Sequence, residues 1–131
     1  MSDKPRLRAL PGTFDIHRLP PTAEVPAEVR AATFVFTART ADELSVVCRP
    51  NASLAERAKV SPDWSCIQVE GPIDFNVVGL LAEIAGALAG AGISVFPIST
   101  FDTDYVFVRS RELERALGSL AGAGFPVVTR G

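Results

Sequence analysis

Between Val77 and Ala91 the chain carries a single charge, Glu83. Leu80, Leu81, Ile84 and Leu88 fall on one side of a helical projection, and Gly79, Ala82, Gly86 and Gly90 on the other. This period predicts a helix over 77–91, and so few polar residues predict that most of its circumference is covered. Asn76 is placed to cap it, and Gly92 sits where a left-handed C-terminal glycine belongs. Period-two runs follow at 93–99 and 104–109, joined by Thr100, Phe101, Asp102 and Thr103. Carboxylates and hydroxyls beside a free helix N-terminus could hold a zwitterion, with the ammonium on the acids and the carboxylate on the helix amides.

The remaining rhythm is that of strands and short helices. Leu7 to Leu19 reads as a strand pair or one bent strand broken at Pro11-Gly12, with His17 on its polar, solvated face. A Pro-rich loop follows, with only a turn of helix near Ala27 to Arg30. Strands are expected at 33–39, 44–48, 64–70 and 125–128. Asn51 caps a short helix through about Lys59, and Ser61-Pro62-Asp63 breaks the chain. Ser110 caps a helix over 111–122 whose core face is Leu113, Ala116, Leu117 and Leu120.

This order repeats with a period of 60: Thr40, Asp42 and Leu44 align with Thr100, Asp102 and Asp104. Each copy reads strand, helix, strand, turn, strand, helix, strand. The expected fold class is α+β, with two ferredoxin-like βαββαβ units whose antiparallel sheets carry helices on one face. The first unit, with an abbreviated first helix, spans 1–62 and the second 63–131.

Composition narrows the function. Apolar residues make up 47% of the 131, enough for a real core, and the net charge of −2 carries no basic stripe for nucleic acid. The helix is too short and too small-sided for a membrane span, and the N-terminus lacks the apolar core of a signal peptide. Cys48 and Cys66 lie in apolar runs and read as reduced, buried thiols of a cytoplasmic protein. One histidine and two well-separated cysteines make no metal set.

Three stretches together resemble the ACT domain: Trp64 to Gly71 (WSCIQVEG), Asp74 to Gly79 (DFNVVG) and Ile98 to Tyr105 (ISTFDTDY). More narrowly they are similar to the tandem-ACT group, which includes small bacterial proteins and the eukaryotic cytosolic arginine sensors. Aspartate-kinase regulatory regions are more distant relatives. The resemblance implies a small effector, most often an amino acid, bound at a domain or subunit interface. Carried over residue by residue, it would touch Asn76, Val77, Val78, Gly79, Thr100, Phe101 and Asp104. The larger sensors carry two tandem pairs, so the resemblance implies a homodimer to complete the site. The first copy has Leu44 where the second has Asp104, so only the second is equipped to bind.

The same residues also have purely structural uses. Asp102 and Asp104 can act as turn formers, Thr100 as a strand-end threonine and the glycines as packing devices. No nucleophile–base pair, phosphate loop or nucleotide fingerprint is present, which argues against an enzyme and against a bound cofactor. Two readings follow: a non-enzymatic sensor of an amino acid, or a ligand-free dimerisation module that docks on an enzyme or other partner.

Overall fold

The computed structural model describes residues 4–71 and 79–129. Two compact units are present: residues 13–64, and residues 1–12 together with 65–131.

The unit of residues 13–64 contains β2 (Phe14–Leu19), α1 (Ala27–Arg30), β3 (Phe36–Arg39), β4 (Leu44–Cys48), α2 (Ala52–Ala55) and the first half of β5 (Lys59–Val69). Its strand order is β3-β4-β2-β5, all antiparallel, the order of a ferredoxin-like βαββαβ unit. As expected, the first helix is a single turn. Asn51 caps α2 as its residue type predicts, accepting the Leu54 amide at 2.8 Å. Asn51→Ala should therefore lower stability by about 1 kcal/mol, read from denaturant midpoints. The core beneath the helices is Leu19, Val29, Leu44, Val46, Cys48 and Leu54. On the other face Phe14 and Phe34 pack at 5.0 Å between ring centroids, Phe34 meets Phe36 edge-on, and Arg49 lies over Phe14.

Three sequence expectations fail in this unit. The helix after Asn51 ends at Ala55, and Lys59 already begins β5. Ser61-Pro62-Asp63 does not break the chain; the three residues lie inside β5, where a register shift against β2 marks a bulge. Asp63 absorbs it with φ of 70°, a left-handed conformation that Asp tolerates, and its amide donates to Asp15 Oδ1. His17, expected in solvent, is fully buried. It stands opposite Val46 on β2, which is paired on both sides, and it shares the helix-covered face with Leu19. Nδ1 lies 3.0 Å from the Val46 carbonyl, and Nε2 has no partner among the described residues.

The other unit contains β1 (Leu7–Ala9), the second half of β5, α3 (Leu80–Gly90), β6 (Val95–Ser99), β7 (Asp104–Arg109), α4 (Leu113–Gly122) and β8 (Val127–Thr129). From β5 onward this is again βαββαβ. One feature is absent from the sequence reading: β1 lies between β5 and β8, antiparallel to the first and parallel to the second. Leu7, Ala9, Ile67, Val69, Ile84, Leu88, Val106, Val108, Ala116 and Leu120 form the core.

The helix α3 also departs from expectation. It begins at Leu80, with Gly79 as its N-cap at φ of 88°, and Asn76 lies outside the described residues. Only Leu80, Ile84 and Leu88 are buried, at the four-residue spacing of a single inward face. Ala82, Gly86, Ala89 and Gly90 are exposed, and a Cβ added at Gly86 or Gly90 would meet nothing within 4 Å. The small-residue side of the helix, which also carries the exposed Glu83, is thus open rather than covered. Gly92 does close it in the left-handed region, at φ of 75°. Ser110 does not cap α4: it starts a 3-10 turn and shares a 2.9 Å hydrogen bond with Ser65. Both cysteines are buried and neither is in a disulfide, and burial, with Asp15 second, pushes the Cys48 thiol up.

Candidate functional site

The β6–β7 hairpin is built by local hydrogen bonds. Ser99 pairs with Asp104, and across residues 100–103 the Thr100 amide donates to the Thr103 carbonyl at 2.8 Å. The Thr100 hydroxyl donates to the same carbonyl and accepts the Thr103 amide. The β3–β4 hairpin repeats this: the Thr40 amide donates to the Glu43 carbonyl at 2.9 Å, and the Thr40 hydroxyl accepts the amides of Asp42 and Glu43. Period and chemistry agree, so the threonines act first as turn formers.

Asp104 differs from its neighbours in where it points. It shares strand parity with Val106 and Val108, both in the core under the helices, so its side chain leaves the sheet on the helix-covered face. It is half-buried, and Ser99 Oγ donates to its Oδ1 at 2.6 Å. Asp102 is exposed in the turn, and Phe101 projects with 81% of its surface accessible. Gly79 supplies the left-handed entry to α3, where its carbonyl accepts the Glu83 amide. Asn76, Val77 and Val78 lie outside the described residues.

One residue that sequence reasoning passed over locks this end of the sheet. Thr103 is only 5% exposed, and its hydroxyl donates to the Val69 carbonyl at 2.6 Å. The hairpin is thereby fixed to the end of β5, from which the chain leaves toward α3. A signal was available: the Thr-x-x-Thr spacing gives the second copy a hydroxyl where the first has Glu43. Thr103→Val, nearly isosteric, should cost about 1–3 kcal/mol by leaving a buried carbonyl unpaired. An unchanged midpoint in chemical denaturation would refute that role.

Glu70 continues the same edge. Its amide donates to Arg6, and its carboxylate takes Arg8 Nε at 2.7 Å with Arg6 at 3.6 Å. Burial raises the Tyr105 phenol above its usual range, with Cys66 and Asp102 adding to the shift and a hydrogen bond from Gln68 opposing it. Among the described residues no group of three or more His, Cys, Asp or Glu could hold a metal ion. Among them also, no helix is long and apolar enough to cross a membrane.

Comparison with known proteins places this geometry. A family profile described as the ACT domain matches residues 59–121, and a second, for an N-terminal domain, matches residues 12–53. A protein of Agobacterium tumefaciens, solved by X-ray crystallography, is 34% identical with a TM-score of 0.86, over 99% of this chain and 96% of that one. The ligand-free regulatory subunit of aspartate kinase from Thermus thermophilus has a TM-score of 0.60 at 15% identity, covering 86% of this chain and 93% of its own. At that identity it shows the fold alone. The cytosolic arginine sensor for mTORC1 subunit 1 of Homo sapiens is 44% identical over 46 residues, 34% of this chain and 14% of the sensor. The matched stretch is thus a small part of that sensor's length. With a fold of two ferredoxin-like units, an ACT-domain match and a full-length relative in Agobacterium tumefaciens, the chain belongs to the ACT-domain proteins.

Proposed function

We propose that the chain is a non-enzymatic regulatory protein that binds an amino acid or similar small effector in the cytoplasm. The observation that carries this reading is Asp104, a half-buried carboxylate on the helix-covered face at the hairpin end of the sheet. A carboxylate there suits an ammonium group, and the entry to α3 at Gly79 suits the carboxylate of the same ligand. Phe101 supplies an apolar surface beside it. The similarity of one stretch to a cytosolic arginine sensor favours an amino acid as the class.

The exposed small-residue side of α3, with Ala82, Gly86, Ala89 and Gly90, favours two copies acting together. On this reading the partner copy completes the site, as a two-fold homodimer. Light scattering that gives the monomer mass at micromolar concentration would remove this part. The competing reading, a ligand-free module docking on an enzyme, draws on the same open face. A thermal-shift screen against the twenty amino acids separates the two. A true effector at one hundred times its dissociation constant should add about 2.7 kcal/mol of stability. No shift with any of them would leave the docking module as the better account.

A further inference from the structure

We propose that Lys4 is a positioning residue for the effector site, an ammonium strap that holds the first turn of α3 through Glu83 and so couples the segment ahead of β1 to ligand binding. This rests on the reading that the start of α3 receives one end of the ligand. That start is weakly determined by its own residues. Its N-cap is Gly79, which offers no side chain to the free amides of the first turn. Gly86 interrupts the middle of the helix, where glycine has more conformational freedom to lose than any other residue. Leu80 anchors the first turn from the core side, while Ala82 and Glu83 are exposed.

Glu83 is the one charge of α3, and it is spent on Lys4. The lysine lies just ahead of β1, and its Nζ meets Glu83 Oε2. Two further partners fix the ammonium from the other side. It donates to the Ala123 carbonyl at 2.7 Å and stands 4.8 Å from the centroid of the Phe125 ring. Ala123 is the C-cap of α4, so its carbonyl belongs to the negative end of that helix, where a cation is favoured. The ring face adds a cation–π attraction. The Lys4 side chain is 21% exposed and that of Glu83 46%, so the ammonium is the seated half of the pair and the carboxylate is drawn to it. An isolated ion pair at such exposure contributes little, but a cation already held by a helix end and a ring loses less freedom on pairing. Glu83 also closes the first turn, its amide donating to the Gly79 carbonyl at 2.8 Å. With the strap in place, the turn is formed before a ligand arrives. Without it the turn opens more often, and apparent affinity falls with the fraction of molecules in which it is closed. Reciprocity then requires a bound ligand to tighten the strap.

Lys4→Met, Glu83→Gln and the double variant test this as a cycle, since Met keeps most of the lysine stem and Gln the shape of Glu83. In the ligand-free variants, hydrogen exchange should quicken at the Glu83 and Ile84 amides and stay parent-like at Leu88 and Val106. Calorimetry then uses whichever of the twenty amino acids shifts the parent's melting temperature most. Affinity should fall by about threefold in each single variant, as for a turn closed about a third of the time. The double variant should bind no more weakly than the weaker single one, because both substitutions break the same bond. Lys4→Arg, which keeps the cation, should recover most of the binding. A merely structural lysine would lower the melting temperature and leave affinity untouched. Unchanged affinity in Lys4→Met therefore overturns the proposal, as do losses that add in the double variant. Exchange that quickens equally at Val106 would show a general loss of packing and overturn it too. If no amino acid shifts the parent, the sensor reading itself fails, and the coupling falls with it. That failure is seen in the parent alone, whereas failure of the strap is seen only as variants that bind like a binding parent.

Discussion

A chain starting at Thr13 should fail to fold residues 65–129 cooperatively, although all six βαββαβ elements of that unit remain in it. The missing piece is β1. Leu7 pairs with Val69 on one side and Val127 on the other, and it is fully buried in the core under α3 and α4. Its amide donates to the Pro126 carbonyl at 2.8 Å, and Lys4 Nζ donates to the Ala123 carbonyl at 2.7 Å while also meeting Glu83. Without this strand, β5 loses one ladder and β8 loses the only neighbour with which it pairs among the described residues. Removing the Leu7 side chain alone should cost about 2–5 kcal/mol, against a total of about 5–15 kcal/mol for an ordinary domain. Hydrogen exchange at Val69 and Val106 reports the result directly. Parent-like protection in the shortened chain would show that β1 is dispensable. Leu7→Ala in the full-length chain gives the graded version, as a fall in denaturant midpoint with little change in slope.

Asp104→Ala should weaken effector binding by about tenfold to a hundredfold, the loss of a charge-assisted hydrogen bond of roughly 1.5–3 kcal/mol. Asp102→Ala, in the exposed turn, should change affinity by less than about threefold, since a solvated carboxylate contributes little. Calorimetry on the parent and both variants measures this difference. The ligand-free protein discriminates the alternative. If Asp104 serves only the turn, through its bond to Ser99, its removal should lower the melting temperature and leave affinity intact. Gly79 is a poorer probe of the same site. At φ of 88° any side chain strains the start of α3, so a binding defect in Gly79→Val would mix two causes.

The candidate site was legible in part. The turn itself could be placed because turn chemistry is written in neighbouring residues and the 60-residue repeat marked it twice, whereas Thr100, Phe101 and Asp104 as ligand contacts came from the resemblance. The resemblance already separated Asp104 from Asp102; the register adds the physical reason, since strand parity with Val106 and Val108 puts Asp104 on the helix side. Thr103 was missed because its partner, the Val69 carbonyl, is a backbone group 34 residues away. No local pattern marks such a bond.

The sequence by itself determined the features whose causes lie within one turn of chain. These are the Asn51 cap, the left-handed Gly92 that ends α3, the two threonine turns and the order of strands and helices in each unit. Tertiary structure alone decided which strands become neighbours and which faces close. It placed β1 between β5 and β8, turned His17 inward beside Val46, took Ser110 from helix capping into a bond with Ser65, and left the small side of α3 open. The physical reason is common to all four. Strand neighbours and burial are fixed by partners distant in sequence, whose pairing depends on the summed packing of the unit, whereas caps and turns are settled by the few residues that form them.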